Sequence, residues 1–423
     1  MLPFIEESNP SGLTDVPGFQ AAAVACDIRE QGRNDRLDLA VVRSTPPCRG
    51  AGVFTPHAFA APPVSLCRET IAGATELRGF VVNSGNANAC TGEQGVADAR
   101  AMRDAAAVAC GVDPSTFLIC STGRIGRPLP MPRILSGIDE AAQALTPEPE
   151  GGRGVARAIL TSDSREKLIT IRLPWEGTHV TIAGMAKGAG MIEPNMATML
   201  AFIATDADLP AGAAQQSLHS AVADTFNAIT VDGDQSTNDS VLLFANAASG
   251  VRVEPTSGKG GSIPIWDAFC TGLQHVCRQL ADRIVSDGEK ITKVVQVVVR
   301  GAGSRRDAET VARAIGNSLL VKTSWFGCDP NWGRVLDAAG YAGVPIDPKR
   351  TRMFYKRYPI EIDGSEIPVF ILGEPTPEHL DAWRKVVRES RFTIVLDLGS
   401  GSESFVLLAT DLTDGYVQFN KSE

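Results

Sequence analysis

The sequence predicts a mixed α/β (α+β) chain with antiparallel hairpins, on two observations. Short apolar runs rich in β-branched residues recur along it, and amphipathic stretches with apolar residues three to four apart lie between them. In order, Gly79 to Val82 reads as a strand and Gly95 to Cys110, rich in alanine, as a helix. Phe117 to Cys120 is a strand that ends in a Ser-Thr-Gly turn. Thr181 to Ala183 leads into a glycine-rich segment, and Thr198 to Ala204 reads as a buried strand. Pro210 to Phe226 is a helix, Val241 to Phe244 a strand, Trp266 to Val285 a helix and Lys293 to Arg300 a valine-rich strand. Arg306 to Ile315 and Pro377 to Ser390 read as helices, with strands at Thr393 to Leu396 and Phe405 to Ala409. At 423 residues the chain exceeds one ordinary core, so two or three domains are expected.

Composition narrows the function classes. A hydrophobic content of 43% with 21% charged residues is that of a globular protein, and the net charge of −9 argues against nucleic acid and against an anionic membrane surface. No apolar run reaches the roughly 18–20 residues of a membrane span. The start, Met1-Leu-Pro-Phe-Ile-Glu-Glu-Ser8, carries neither a basic nor a long apolar region, so no signal or transit peptide is legible. The 9 cysteines fall singly, without a Cys-x-x-Cys pair, which suits thiols in a reducing, cytoplasmic setting. The five histidines lack metal-ligand spacing, so no metal or other cofactor is expected. Ser257-Gly-Lys-Gly-Gly-Ser262 lacks the spacer of a phosphate-binding loop and reads as a surface loop. Gly399-Ser-Gly401 lacks the third glycine of a dinucleotide site. The spacing of Asp232, Asp234, Thr237 and Asp239 does not fit a calcium loop, and tight turns bracketing a strand are the plainer reading.

The most informative stretch is Lys187-Gly-Ala-Gly-Met-Ile-Glu-Pro-Asn-Met-Ala-Thr-Met-Leu200. As a bare pattern it is a loop feeding a buried strand. It also suits self-cleavage between Ala197 and Thr198. A threonine hydroxyl is a poor nucleophile without a base. Cutting the chain before it frees an α-amine of reference pKa about 7.7–8.0, close to the ideal for a general base near neutrality.

Further motifs follow in a set order. They are Asn83-Ser-Gly-Asn-Ala-Asn-Ala-Cys-Thr-Gly92, Ser121-Thr-Gly123 with Ile125-Gly126, Val231-Asp-Gly-Asp-Gln-Ser-Thr-Asn-Asp239, Leu320-Val-Lys-Thr323, Asp329-Pro-Asn-Trp-Gly-Arg334, and Asp411-Leu-Thr413 with Tyr416-Val417. Together with the 187–200 segment they resemble the ornithine acetyltransferase family, the glutamate N-acetyltransferases of the cyclic arginine pathway. The match runs from about Gly18 to Asn420.

That resemblance implies a layered α/β fold unlike the usual N-terminal-nucleophile hydrolases, with two sub-domains around a cleft. It implies an α-chain, 1–197, holding oxyanion and substrate groups, and a β-chain, 198–423, that opens with the nucleophile strand and ends in a domain closing the cleft. Two copies of each would assemble as α2β2. Thr198 would be the nucleophile for cleavage and turnover, moving acetyl from N2-acetylornithine to glutamate by ping-pong kinetics. Thr122 and Gly123 would cradle the oxyanion. Thr161, Lys187, Glu289 and Asn420 would contact substrate, Lys187 meeting an α-carboxylate and Glu289 the donor's ammonium. Trp332 would anchor a turn beneath the cleft.

The chain departs from the family pattern at several places. Arg124 stands where the family has valine, where it could clamp an anionic acyl group or substrate carboxylate or point to solvent. Lys290 and Ile291 replace small residues beside Glu289, where Lys290 would disfavour ornithine's positive side chain. Thr161 heads Thr-Ser-Asp-Ser in place of Thr-Thr-Asp-Thr, and no Thr or Ser follows Asn420 at the family's last position. These departures keep alternatives open: the same chemistry on another N-acyl amino acid in a specialised pathway, an N-terminal-threonine amidohydrolase or aminopeptidase, or an uncut binding protein.

Overall fold

The structure, a computed structural model, describes residues 4–32, 35–193, 199–255, 264–358 and 366–421. Ala197, Thr198 and the Ser257–Ser262 loop lie outside the described residues. The chain forms two units. The first comprises Met1–Gly188, Asn195–Asn227 and Gln235–Ile284; the second comprises Ala189–Pro194, Ala228–Asp234 and Val285–Glu423. The first unit takes strands and helices from both sides of the 197/198 bond.

The first unit is built on a sheet of nine strands among the described residues: β1 (Ile5–Glu6), β2 (Phe19–Val24), β3 (Leu39–Phe54), β4 (Leu77–Asn86), β5 (Phe117–Arg124), β6 (Lys167–Trp175), β7 (Thr178–Lys187), β8 (Leu200–Thr205) and β9 (Ser240–Ala245). The order is β1-β6-β7-β8-β9-β3-β4-β5, with β2 paired to β3. β4–β5 and β8–β9 are parallel and the other pairs antiparallel. Every residue of β8 and β9 is buried, so both read as continuous apolar runs. β6 and β7 form a hairpin whose turn residues, Glu176 and Gly177, both have positive φ, as the twist of a two-residue loop requires.

β3 is 16 residues long and contains Pro46 and Pro47. Its first half pairs with β2 and β4 and its second half with β9, the register shifting between Arg43 and Cys48. Proline donates no ladder hydrogen bond, so the irregularity falls where the prolines stand. Helices α1 (Pro62–Gly73), α2 (Gly92–Ala109), α3 (Met131–Gln143) and α4 (Pro149–Ala158) supply one core with Phe80, Phe202 and Phe244; the Phe80 and Phe202 rings stack at 4.3 Å. Helix α5 (Ala213–Ala223) packs on β3 and β9. Helix α6 (Ile265–Val285) brings Val276 and Leu280 against Gly184 of β7, on the other face.

The second unit carries a sheet of six strands among the described residues, β10 (Val294–Ala302), β11 (Arg352–Arg357), β12 (Ile367–Ile371), β13 (Glu374–Pro375), β14 (Arg391–Asp397) and β15 (Glu403–Thr410), in the order β13-β12-β11-β14-β10-β15. Its helices are α7 (Arg305–Asn317), α8 (Leu319–Phe326), α9 (Trp332–Gly340), α10 (Leu380–Val386) and α11 (Asp414–Phe419). Trp325 and Tyr355 meet the Phe392 ring edge-on in the core.

Three sequence expectations need correction. The Ser-Thr-Gly segment is not a turn: β5 runs on through Arg124, and a bulge at Asn86 of β4 absorbs the irregularity. The helix expected over Pro377 to Ser390 is a single 3-10 turn at Pro377–His379 followed by α10, the proline fixing the turn's first residue. Trp332 opens α9 and stacks on Phe370 at 6.0 Å, so it anchors a helix start.

Candidate active site

In the first unit, strand register gathers several of the expected residues at one end of the sheet. Lys187 ends β7 opposite Leu200, and Leu200, the start of β8, lies beside Ser240, the start of β9. The first described residue after Thr198, Met199, therefore enters β8 between the Lys187 end of β7 and the Asp239 end of β9.

Lys187 is 1% exposed and donates through Nζ to the Thr161 hydroxyl at 2.7 Å. Asp163, absent from the sequence expectations, organises this corner. Its Oδ1 accepts from Lys167 Nζ at 2.7 Å and from the Gly188 amide at 2.6 Å; its Oδ2 accepts from the Thr161 amide at 3.0 Å and lies 3.8 Å from Lys187 Nζ. Burial alone would raise its pKa, but the Lys187 and Lys167 ammonium groups outweigh that and hold the carboxyl well below the usual range. Asp163 is thus an anion that keeps two buried cations in place. Asp163 lies in a loop and Lys167 opens β6, so no helical charge spacing signalled the pair.

Thr122 is buried and Gly123 exposed at the end of β5. Gly123 has φ +132°, and a Cβ there would stand 2.3 Å from the Gly85 carbonyl carbon, so only glycine lets the two backbones meet. The asparagine-rich motif explains itself here as a chain of amide contacts. Asn83 Nδ2 donates to the Asn86 carbonyl at 2.9 Å, Asn86 Oδ1 accepts the Asn88 amide at 2.8 Å, and Ser121 donates to Asn83 Oδ1 at 2.6 Å. Asn238 Nδ2 donates to the carbonyls of Ala87, at 2.6 Å, and Ser121, at 2.8 Å. One loop thus fixes the residue before Thr122 and, through the next residue, the entrance to β8: Asp239 Oδ1 accepts the Met199 amide at 2.9 Å. Arg124 is half-buried, its carbonyl accepting the Ala87 amide at 2.9 Å.

In the second unit, Glu289 is half-buried on the turn before β10, and its amide donates to the Ala189 carbonyl at 3.0 Å. Its carboxylate lies over Gly190, where a Cβ would stand 2.4 Å from Oε1, which gives the Gly-Ala-Gly run a steric reason. Asp232 accepts the amides of Met191 at 2.6 Å and Ile192 at 2.8 Å, and the Tyr416 hydroxyl donates to it at 3.3 Å. Burial, Asp232 and Glu289 push that phenol's pKa up. The turns read around Asp232 and Asp239 thus hold other backbone segments. Lys290 lies with its ammonium 5.3 Å from the Phe419 ring centroid. Asn420, exposed, caps α11, its Nδ2 donating to the Tyr416 carbonyl at 2.9 Å. Thr413 donates to the Lys290 carbonyl at 2.7 Å, so α11 begins against the Glu289 turn. Among the described residues no group of three or more His, Cys, Asp or Glu is placed to hold a metal ion.

Strand ends that collect a lysine, hydroxyls and a glycine-lined backbone around one strand entrance suit acyl transfer. The chain belongs to the ArgJ family, whose model matches residues 20–422. It is similar to the arginine biosynthesis bifunctional protein ArgJ of Symbiobacterium thermophilum, 44% identical over 97% of this chain and 98% of the relative. The protein of the same name from Thermotoga neapolitana is 41% identical over 95% of this chain and 98% of the relative. Among solved structures, the ArgJ of Bacillus halodurans aligns at 34% identity with a TM-score of 0.43, covering 46% of this chain and 98% of its own. The ornithine acetyltransferase of Mycobacterium tuberculosis, solved with ornithine, aligns at 34% identity with a TM-score of 0.41, covering 45% and 98%.

Proposed function

We propose that this chain is a self-processing N-acetyltransferase of arginine biosynthesis that moves acetyl from N2-acetylornithine to glutamate. The observation that carries the reading is the meeting of Lys187, Thr161 and the 236–239 loop at the entrance of β8, one residue beyond Thr198. In this reading the Thr198 hydroxyl attacks the Ala197 carbonyl, the peptide becomes an ester, and water releases an α-chain (1–197) and a β-chain (198–423). The freed amine then takes the hydroxyl proton as Thr198 attacks the acetamide of the donor. Ornithine leaves, and the amine of glutamate takes acetyl from the threonine ester.

Thr122 and Gly123 steady the oxyanion of both steps, typically worth about 3–4 kcal/mol per donor. Lys187, held by Thr161 and Asp163, meets the substrate carboxylate. Glu289 and Asn420 contact the donor side chain. Arg124 and Lys290 bear on which N-acyl amino acid is preferred. The enzyme works in the cytoplasm as α2β2, without cofactor; among the described residues no helix is long and apolar enough to cross a membrane.

Thr198→Ala tests the core of this reading. The variant remains one uncut chain without acetyl transfer, whereas the wild type gives two bands on a denaturing gel. A wild-type chain that transfers acetyl while uncut, or a variant that cleaves, overturns it. Donor loss measured with and without glutamate separates transfer from hydrolysis, and a panel of N-acyl amino acids identifies the donor.

A further inference from the structure

We propose that the arginine-lined cavity shared by α4, α6 and the start of β6 binds a phosphoryl group, carried on a small phosphorylated molecule or free as inorganic phosphate or diphosphate. The site lies outside the acetyl-transfer chemistry proposed above and does not depend on it. The cavity belongs wholly to the first unit and has a volume of about 420 Å³, within the ~300–1,000 Å³ usual for small-molecule sites. Arg153 and Arg157 reach it from α4, Arg165 from the loop before β6, and Arg283 from the last turn of α6.

Four guanidinium groups around one small volume are out of keeping with a chain whose net charge is −9. Glu166 is the one carboxylate that lines the cavity with them, and it accepts from Arg157 only at Nε, at 2.6 Å. Glu6 comes within 3.6 Å of Arg283 but is shared with His275, 3.2 Å away. Arg153 donates to the side-chain oxygen of Asn9, which carries no charge. Arg153 and Arg157 stand four residues apart, so α4 sets them on one face while Gly152, Val155 and Ala156 are buried. Like charges one turn apart weaken a helix, and a face that served only solubility would gain by alternating their signs. Leu168 adds an apolar wall, and low-dielectric walls concentrate the field of charges of one sign.

The chemistry of the lining selects the ligand. Arginine presents a planar fork of donors that matches phosphate and carboxylate oxygens in pairs. A carboxylate brings a single charge and two oxygens, which one or two guanidinium groups saturate. A phosphoryl group brings a charge of about −1.5 to −2 and three acceptor oxygens, enough for donors arriving from a helix, a loop and a second helix. Nucleic acid fits less well, because the positive charge is gathered in one hollow and not spread as a stripe over the surface.

Calorimetric titration of the full chain with inorganic phosphate, pyrophosphate and ADP, at about 0.05 M salt, tests the site. At least one of the three binds saturably with a Kd below about 1 mM, and that Kd rises several-fold as salt is raised to about 0.3 M. Tightest binding by phosphate or pyrophosphate assigns the site to a free inorganic anion, and tightest binding by ADP to a phosphorylated small molecule. Arg153→Ala combined with Arg157→Ala, which keeps good helix formers on α4, weakens the Kd at least about tenfold. Arg172→Ala, whose arginine pairs with Glu7 outside the cavity, leaves it unchanged. Three outcomes overturn the inference: no saturable binding of any of the three anions, equal binding in the double variant, or an equal loss in Arg172→Ala. Should the double variant fail to fold, Arg153→Gln decides alone, with a Kd at least about threefold weaker expected and an unchanged Kd overturning the site. Self-cleavage and acetyl transfer are not among these readouts, so the failure of either proposal leaves the other standing.

Discussion

The two units solve the problem of a buried lysine in opposite ways. In the first, Lys167 and Lys187 share Asp163, all three side chains being 2% exposed or less. In the second, Lys322 of α8 is equally buried, but its Nζ contacts neutral oxygens: the Thr410 carbonyl at 2.5 Å, the Gly316 carbonyl at 3.4 Å and the Thr410 hydroxyl at 3.4 Å. Burial pushes its pKa down to about 8, despite the more distant carboxylates of Asp232, Asp411 and Glu193. The contrast teaches that burial alone does not decide a lysine's charge; a carboxylate in contact does. The unit that carries the expected nucleophile segment spends an anion on fixing cations. The other tolerates a weakened one as a brace between α8 and β15.

The largest test of that contrast removes the anion. Asp163→Asn strands two ammonium groups in the interior and costs about 3–5 kcal/mol in denaturant unfolding; a loss below about 1 kcal/mol would show that the cations find other partners. The wild type's acid limb carries the same information. Because the folded pKa of Asp163 is depressed, its contribution is present above the ordinary carboxylate range and is lost as pH falls below it.

Lys322 should behave with the reverse slope. Its folded pKa lies below its unfolded one, so below pH 8 its burial opposes folding in full. As pH rises from about 8 to about 10.4 that opposition is relieved, adding about 3 kcal/mol to stability. Urea midpoints across this range in the wild type and in Lys322→Met test it: the rise belongs to the wild type, and an equal rise in the methionine variant would refute the assignment.

The smallest effect concerns Lys290. It sits at φ +56°, at one of the places where the chain departs from the small residues of the family pattern. Relief of a left-handed lysine, less the entropy glycine loses on folding and the contact with Phe419, makes Lys290→Gly more stable by about 0.5 kcal/mol. Thermal unfolding reads it, and a clear loss would mean that the lysine's contact outweighs its backbone strain.

How much of this was legible depended on whether local chemistry or distant pairing set the structure. β8 and β9 were readable because they are buried on both faces and so are apolar but for Thr205 and Ser240 at their ends. β3 escaped because Thr45-Pro-Pro-Cys-Arg-Gly50 has loop composition, and only its neighbours on either side make it a strand. Helix α4 escaped likewise, its Pro-Glu-Gly-Gly start carrying no apolar period. The resemblance named as candidates Thr122, Gly123, Thr161 and Lys187 in the first unit, and Glu289 and Asn420 in the second. It gave no role to Asp163 or Asp239, whose significance lies in what they touch 25 and 40 residues away along the chain. A carboxylate in a polar loop looks solvated until the fold closes over it.

The pairing of β8 has a consequence for the severed molecule. β8 lies between β7, from one side of the proposed cut, and β9, whose other neighbour β3 again comes from the first side. Two ladders thus rivet the fragments together, and neither piece can slip free while the sheet survives. For the cut form, melting is also dissociation, so its thermal midpoint climbs with protein concentration, whereas that of an intact precursor monomer does not.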